Sequence, residues 1–168
     1  DTGGVLFAQD IVSALVRHLA AQPRVRLHAS SPVRAVDLEK GNITTEDGVT
    51  HTADVVIVAA GAWFSRLLAS LASRVVPSRQ AVVYFELPTD QRAAWTKMPM
   101  VIEKTGDVGL YLVPPAEGRT MKIGDHEFSR SGDPAAGRTA TIEEMRPLLD
   151  RCRNLLKGFD RWRVDRLK

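Results

Sequence analysis

The sequence predicts an α+β fold, because its two halves carry different hydrophobic patterns. In the first half, the unbroken β-branched run Val55–Val58 is followed by a turn of small residues and then by helical spacing. Such a run is typical of a strand buried on both faces. In the second half, short β-rich segments alternate with turn residues, which favours antiparallel strands. We therefore expect part of an α/β sheet with a β-meander, and a separate mixed, mainly antiparallel sheet flanked by helices.

The first half is predicted to begin with a helix and to continue as short strands. Apolar residues recur at helical spacing from Ala8 onward, and Pro23 ends the helix. Turn residues then separate short apolar segments, and Asp47-Gly48 is a strong hairpin signal. The predicted strands are 25–29, 33–38, 43–46 and 49–52.

The second half is predicted to contain most of the strands and one long helix. Thr141 followed by Glu143 and Glu144 is typical of a helix start. Pro147 is expected either to kink this helix or to move its start, and Gly158 is a plausible cap. The predicted strands are 79–86, 98–103, 109–113 and 120–124, with a polar loop or short helix at 88–97.

The segment Asp54–Leu68 allows two interpretations. Strand, glycine-containing turn and helix follow one another in the order of a nucleotide-binding α/β core. The same order also suits an ordinary packing unit, because a lone small-residue turn such as Ala59-Ala60-Gly61 is a weak motif. The phosphate-binding pattern G-x-G-x-x-G is absent. The residues of this segment leave both interpretations open.

Composition excludes several classes of protein. The net charge of +3 is too small to indicate nucleic-acid binding, and no apolar run approaches the length of about 20 residues that a bilayer requires. The single cysteine, Cys152, excludes an internal disulfide and a cysteine-rich metal site. We expect a cytoplasmic protein without metal. Since the chain begins at Asp1 without methionine, we also expect it to be an internal fragment of a longer protein.

The basic C-terminal segment, 151–168, has two interpretations. Arginines and lysines are interleaved there with Phe159 and Trp162, as in some RNA-binding surfaces. Asp160 and Asp165 interrupt this pattern, and Asp150 directly precedes it. A solvated helix face followed by a terminal strand is therefore favoured.

One cluster of polar residues could carry chemistry. Lys122 lies between Met121 and Ile123 in a predicted strand, with His126 just beyond the strand and Tyr111 in the preceding one. Lys122 could be an alternate, solvent-facing strand residue, or a deliberately buried charge whose field has a function. Spacing alone does not choose between these alternatives.

The order and spacing of several segments resemble one family. The chain is similar to the flavin-dependent amine oxidases of the D-amino-acid oxidase superfamily, and within it to the monomeric sarcosine oxidase and N-methyltryptophan oxidase group. The resemblance extends over nearly the whole sequence. The segments that carry it are Gly3-Gly4-Val5-Leu6-Phe7, Pro32-Val33, Ala60-Gly61-Ala62-Trp63, Arg79-Gln80, Gly109–Pro114 and Met121–His126.

The resemblance implies an enzyme with FAD as cofactor. It divides the chain into part of an FAD-binding domain, 1–72, and a truncated substrate-binding, catalytic domain, 73–168. Such enzymes oxidise the C–N bond of a secondary (N-methyl) amino acid and pass the electrons to oxygen, giving imine or aldehyde and hydrogen peroxide. The implied partners are a small-molecule amino-acid substrate, oxygen and the remaining FAD domain of the same chain, without nucleic acid or membrane.

The resemblance also implies residues for cofactor binding. Val33 matches a position whose backbone contacts the adenine end of FAD. Ala60 and Gly61 match a small-residue turn near the cofactor, and Trp63, just after them, is counted with the cofactor-binding residues. The family's N-terminal dinucleotide-binding loop is missing, with the basic residues of that region, and its flavin-linking cysteine would lie beyond Lys168. We therefore expect the isolated fragment to lack FAD and to be inactive.

The implied catalytic residues are Lys122, His126 and Tyr111. Tyr111 and His126 match residues that line the substrate pocket, and Lys122 matches the lysine that promotes the reaction with oxygen. The family's glycine and aromatic residue after this tyrosine are replaced by Leu112-Val113, which affects substrate identity. The alternatives are a glycine-oxidase-like or dehydrogenase relative with another amine substrate or acceptor, and a non-catalytic binding domain.

Overall fold

The structure, a computed structural model, combines helices with two antiparallel sheets and so confirms the α+β fold. It describes residues 5–104, 109–126, 132–136 and 139–168. The chain forms two compact units: Leu6–Pro77 is the first, and Ser78–Lys168 together with Val5 belongs to the second.

The first unit contains a helix and a three-stranded antiparallel meander. The strand order is β1-β2-β3, and the hairpin predicted at Asp47-Gly48 joins the last two strands. Gly48 has a φ of 86°, which a turn of this kind requires and which glycine adopts at little cost. The elements are α1 (Ala8–Ala20), β1 (Val33–Asp37), β2 (Asn42–Thr45), β3 (Thr50–Thr52) and α2 (Phe64–Leu67).

Two strands predicted for this unit are wrong. Residues Val55–Val58 form no strand, and Val55 and Ile57 are 74% and 84% exposed. Residues 25–29 are also irregular, with the Val25 N–H donating to the Gln22 carbonyl in a local turn. The physical reason is the same in both places. A strand needs a neighbour to pair its backbone groups, and the sheet of this unit, as far as it is described, comprises β1, β2 and β3 alone.

The second unit is built on a five-stranded sheet in which every described pair is antiparallel. Its order, β5-β6-β7-β4-β8, places β4 between β7 and the C-terminal strand. The prediction of a strand-rich, antiparallel second half is thus confirmed. The elements are β4 (Val82–Glu86), α3 (Thr89–Thr96), β5 (Val101–Glu103), β6 (Leu110–Val113), β7 (Met121–Asp125), α4 (Ile142–Leu155) and β8 (Arg163–Leu167).

The hydrophobic core of this unit lies on one face of the sheet. Alternate residues of β4, β6 and β7 are buried there in one cluster with residues of α4, as expected for a sheet with one covered face. We call the other side the open face; it carries Tyr84, Tyr111, Lys122 and Arg166. The central core residues are Val83, Phe85, Leu110, Leu112, Met121, Ile123, Met145, Leu148, Leu149 and Cys152.

A capping box fixes the start of α4. The Thr141 side chain accepts from the Glu144 N–H at 3.1 Å, and the Glu144 carboxylate accepts from the Thr141 N–H at 2.7 Å. Pro147 lies inside the helix and does not move its start, because the box already satisfies the donors of the first turn. No helix in the described part of the chain is long and apolar enough to cross a membrane.

Candidate functional site

The first unit contains a pocket with a volume of about 580 Å³. Three of the four residues predicted to bind a cofactor, Val33, Ala60 and Trp63, line it. Gly61, the fourth, follows Ala60 directly and begins the 3₁₀ turn that carries Trp63. The full lining is Pro32, Val33, Arg34, Glu46, Ala60, Trp63, Arg66 and Leu67.

Local backbone geometry brings these residues to the pocket. Val33 begins β1, and the Pro32 carbonyl accepts a hydrogen bond from the Glu46 N–H at 2.9 Å. The Trp63 N–H donates to the Ala60 carbonyl at 3.0 Å. Gly61, between them, has a φ of 53°, a left-handed conformation that other residues adopt only with strain. A glycine therefore turns the chain at this wall of the pocket at a lower conformational cost than another residue would.

The three predicted catalytic residues lie together in the second unit, with Lys122 and His126 beside the ring of Tyr111. The ring centroids of Tyr111 and His126 are 5.4 Å apart. The Lys122 Nζ lies 5.5 Å from the centroid of the Tyr111 ring, within the range of a cation–π interaction. Tyr111 pairs with Gly124 across β6 and β7, so that Lys122 and His126 stand two positions to either side of its partner.

Lys122 belongs to the open face of the sheet and is half-buried. Its burial is thus intermediate between that of a solvent-facing strand residue and that of a buried charge, the two alternatives that the sequence leaves open. Within the part of the chain that the structure describes, its charged group contacts the Tyr111 ring and forms no ion pair with a carboxylate. A lysine held by an aromatic face, without a carboxylate partner among the described residues, is suited to stabilise a negative charge.

Sequence reasoning missed two further residues of this face. Tyr84 pairs directly with Lys122 on one side and with Arg166 on the other. The Arg166 guanidinium carbon lies 4.1 Å from the centroid of the Tyr84 ring. Strand alternation places Tyr84 opposite the core, but the neighbour of each strand is a long-range property that local patterns do not contain.

The described residues include no group of three or more histidine, cysteine or acidic side chains that could hold a metal ion. Cys152 lies buried in α4 among core residues. Burial raises the pKa of its thiol to about 12. It is therefore a packing residue and not a nucleophile at neutral pH.

Comparison with known proteins finds relatives among oxidases. The chain is 28% identical over 134 residues to monomeric sarcosine oxidase from Bacillus sp. (strain NS-129). It is 29% identical over 134 residues to the protein of the same name from Bacillus sp. (strain B-0618). Each match covers 78% of this chain and 34% of the relative, so the chain spans about a third of the length of these curated relatives.

A solved structure has a similar fold. The modified fructosyl peptide oxidase from Aspergillus nidulans superimposes with a TM-score of 0.72, covering 96% of this chain and 43% of that one. The sequence identity is 21%, so this likeness concerns the fold alone.

A family model extends over almost the whole sequence. The model described as "DAO: FAD dependent oxidoreductase" matches residues 1–167. Membership of this family implies FAD as the cofactor of the full-length protein. The match agrees with the resemblance noted from the order of the sequence segments, and the chain belongs to the DAO family of FAD-dependent oxidoreductases.

Proposed function

We propose that the full-length protein is an amine oxidase that oxidises the C–N bond of a secondary, N-methyl amino acid. Two electrons and two protons leave the amine, which becomes an imine and hydrolyses to an aldehyde, and oxygen takes them up as hydrogen peroxide. The observation that carries this proposal is the placement of Lys122 and His126 around the ring of Tyr111. The sarcosine oxidases among the relatives support the substrate class.

The pocket of the first unit suits the nucleotide end of FAD. It is concave, and the apolar side chains of Val33, Ala60, Trp63 and Leu67 form much of its wall, as is usual for sites that take flat aromatic groups. We assign Val33, Ala60, Gly61 and Trp63 to holding this part of the cofactor. When bound, FAD accepts a hydride equivalent from the amine and passes the electrons to oxygen.

Lys122 has the role of an electrostatic catalyst in this proposal. A fixed positive charge in a site with little water stabilises the negative charge that develops on oxygen as it is reduced. The Tyr111 ring holds the ammonium group without neutralising it. Tyr111 and His126 line the place where the amino-acid substrate binds, and their polar atoms orient it.

The test uses the full-length protein, with hydrogen peroxide formation from an N-methyl amino acid as its first measurement. Rapid-mixing experiments then separate reduction of the flavin by the amine from its reoxidation by oxygen. Lys122→Met should slow reoxidation by a factor of about 10² to 10³, as expected for loss of an electrostatic catalyst, and leave reduction nearly unchanged. Lys97→Met, which removes an exposed lysine of the same unit, is the control and should change neither step. Equal slowing of both steps by Lys122→Met would remove the role of Lys122 in the reaction with oxygen.

A second candidate is a relative with a primary amine substrate or another electron acceptor. Val113, which follows Tyr111 by two positions, pairs with Lys122 and so contributes a branched aliphatic side chain to the open face. The family pattern has an aromatic residue there, and the difference changes the surface that would meet the substrate. Comparing glycine with N-methylglycine, and oxygen with an artificial acceptor, distinguishes the two candidates.

A further inference from the structure

Tyr84 stands between the two cations of the open face. In the register of the sheet, Lys122 lies opposite Tyr84 on β7 and Arg166 lies opposite it on β8. Side chains of directly opposite residues in antiparallel strands project from the same face, with their Cβ atoms about 4.5–5.5 Å apart. Tyr84 and Lys122 are therefore direct cross-strand neighbours on the open face.

Arg166 occupies the other side of Tyr84. Its guanidinium lies 4.1 Å from the centre of the ring, a distance typical of a stacked cation–π pair. Its ion pair with Asp165 is long, at 3.7 Å, and the Arg166 side chain remains 54% exposed. The guanidinium thus stacks on the ring, and its charge is only weakly paired with a carboxylate.

Charge repulsion then determines where the Lys122 ammonium goes. A second cation on the Tyr84 ring would lie close to the Arg166 guanidinium, and like charges that close repel each other. The alternative ring within reach is that of Tyr111, which lies on β6 two positions from Val113, the direct partner of Lys122. The Lys122 Nζ does lie over Tyr111, 5.5 Å from its centroid.

We propose that Tyr84, with Arg166 stacked on its ring, is a positioning residue that keeps the Lys122 ammonium on the Tyr111 ring. The inference rests on the proposed function for its consequence, since Lys122 is there the group that acts on oxygen. The location of the Lys122 amino group can be measured without catalysis, so this part of the inference can be tested independently of the proposed function.

Chemical labelling measures that location directly. The full-length protein is treated briefly with acetic anhydride, and the acetylation rates of Lys122 and of the exposed Lys97 are compared by peptide mass spectrometry. Tyr84→Leu removes the ring beside Lys122, so the ammonium should leave the Tyr111 ring more often. The Lys122/Lys97 ratio should then rise by about two- to fivefold, the factor that a weak cation–π contact is worth. Tyr84→Phe keeps the ring and should leave the ratio unchanged.

Arg166→Gln tests whether repulsion by the Arg166 guanidinium keeps the Lys122 ammonium away from the Tyr84 ring. It should slow reoxidation of the flavin by oxygen, because the Lys122 ammonium can then leave the Tyr111 ring for the Tyr84 ring. Arg163→Gln is its matched control: Arg163 is an exposed arginine of the same strand that pairs with Glu86, and its loss should leave reoxidation unchanged. Circular dichroism and the unfolding midpoint identify variants that have lost their fold.

Kinetics of the flavin-loaded protein give the second readout. Tyr84→Leu should slow reoxidation by oxygen about tenfold or more, as expected when a reacting group is displaced by about 1 Å, with reduction by the amine unchanged and Tyr84→Phe equal to wild type. An unchanged labelling ratio in folded Tyr84→Leu overturns the inference, as does equal behaviour of the Phe and Leu variants. If the protein forms no peroxide from any amine, the proposed function fails, and the labelling ratios still decide the position of Lys122.

Discussion

The phenol ring of Tyr111 lies directly across the backbone of Gly124. A Cβ atom at Gly124 would stand 2.5 Å from the Tyr111 hydroxyl oxygen and 2.6–2.8 Å from two ring carbons. Only the absence of a side chain on β7 at this point lets the ring lie flat on the sheet. Lys122 and His126 both contact this ring, so a glycine determines where the three predicted catalytic residues meet.

Gly124→Ala should therefore displace the Tyr111 ring and with it the contacts of the site. The added methyl group forces the Tyr111 ring to move, and we expect a loss of about 1–3 kcal/mol in the free energy of unfolding, as for other overpacked positions. Urea denaturation measures this loss. In the double variant with Tyr111→Ala, the cost of Gly124→Ala should largely vanish. Additive costs of the two substitutions would show that the ring and the methyl group do not collide.

The capping box of α4 should make stability depend on pH in the acid range. The Thr141 N–H, and after it the Arg79 guanidinium, hold the pKa of Glu144 below its ordinary value of 4.5. A lowered pKa means that the contribution of this carboxylate is present above pH 4.5 and is lost as the pH falls through the folded-state pKa. Glu144→Gln should lower the unfolding temperature at pH 7 and flatten its decrease below pH 4.5. Thr141→Ala, by contrast, should cost about 1 kcal/mol at every pH, the usual value of an N-cap.

A hydrogen bond from Trp162 ties the C-terminal part of the core to α3. The indole N–H donates to the Gln91 side-chain oxygen at 2.7 Å, and Trp162 is only 8% exposed. Gln91→Leu leaves this buried donor without its acceptor and should cost about 1–3 kcal/mol in the free energy of unfolding. Arg92→Ala, at the next, exposed position of the same helix, should change stability by less than about 0.5 kcal/mol. Equal effects of the two substitutions would contradict the role of the hydrogen bond.

The Cys152 thiol should be inert in the folded protein. Its pKa of about 12 follows from burial, so hardly any thiolate exists at pH 8. A disulfide reagent such as Ellman's should react with it slowly in buffer and rapidly in concentrated urea. Rapid reaction in buffer, with the protein folded by circular dichroism, would show that α4 opens readily.

Local sequence signals predicted the elements whose determinants are themselves local. Asp47-Gly48 specifies its hairpin through backbone conformations that few other residues adopt, and Thr141 with Glu144 specifies a helix start through hydrogen bonds three residues apart. The run Val55–Val58 failed because hydrophobicity indicates only that a segment would gain from burial. Whether a strand forms there depends on neighbours that lie elsewhere along the chain.

The candidate site was predictable only in part, because it too depends on which strands become neighbours. The resemblance selected Tyr111, Lys122 and His126, and the structure places them around one ring, although their roles stay a prediction. The pairing of Tyr84 with Lys122 and Arg166 could not be predicted, because it requires the register of β4 against both β7 and β8. The half-buried position of Lys122 also depends on this sheet and not on the residues beside it.

The position of β8 beside β4 has a consequence for how the second unit folds. Val82 and Lys168 exchange backbone hydrogen bonds of 2.8 and 3.0 Å, although they stand at opposite ends of this unit in the sequence. Contacts between such distant residues form late, because the loop that they close must first lose its conformational entropy. On the ribosome, β4 leaves the exit tunnel long before β8 is synthesised, and one edge of it stays unpaired during that interval. Such edges are sites where nascent chains associate wrongly, so the yield of folded protein should depend on how fast translation completes β8.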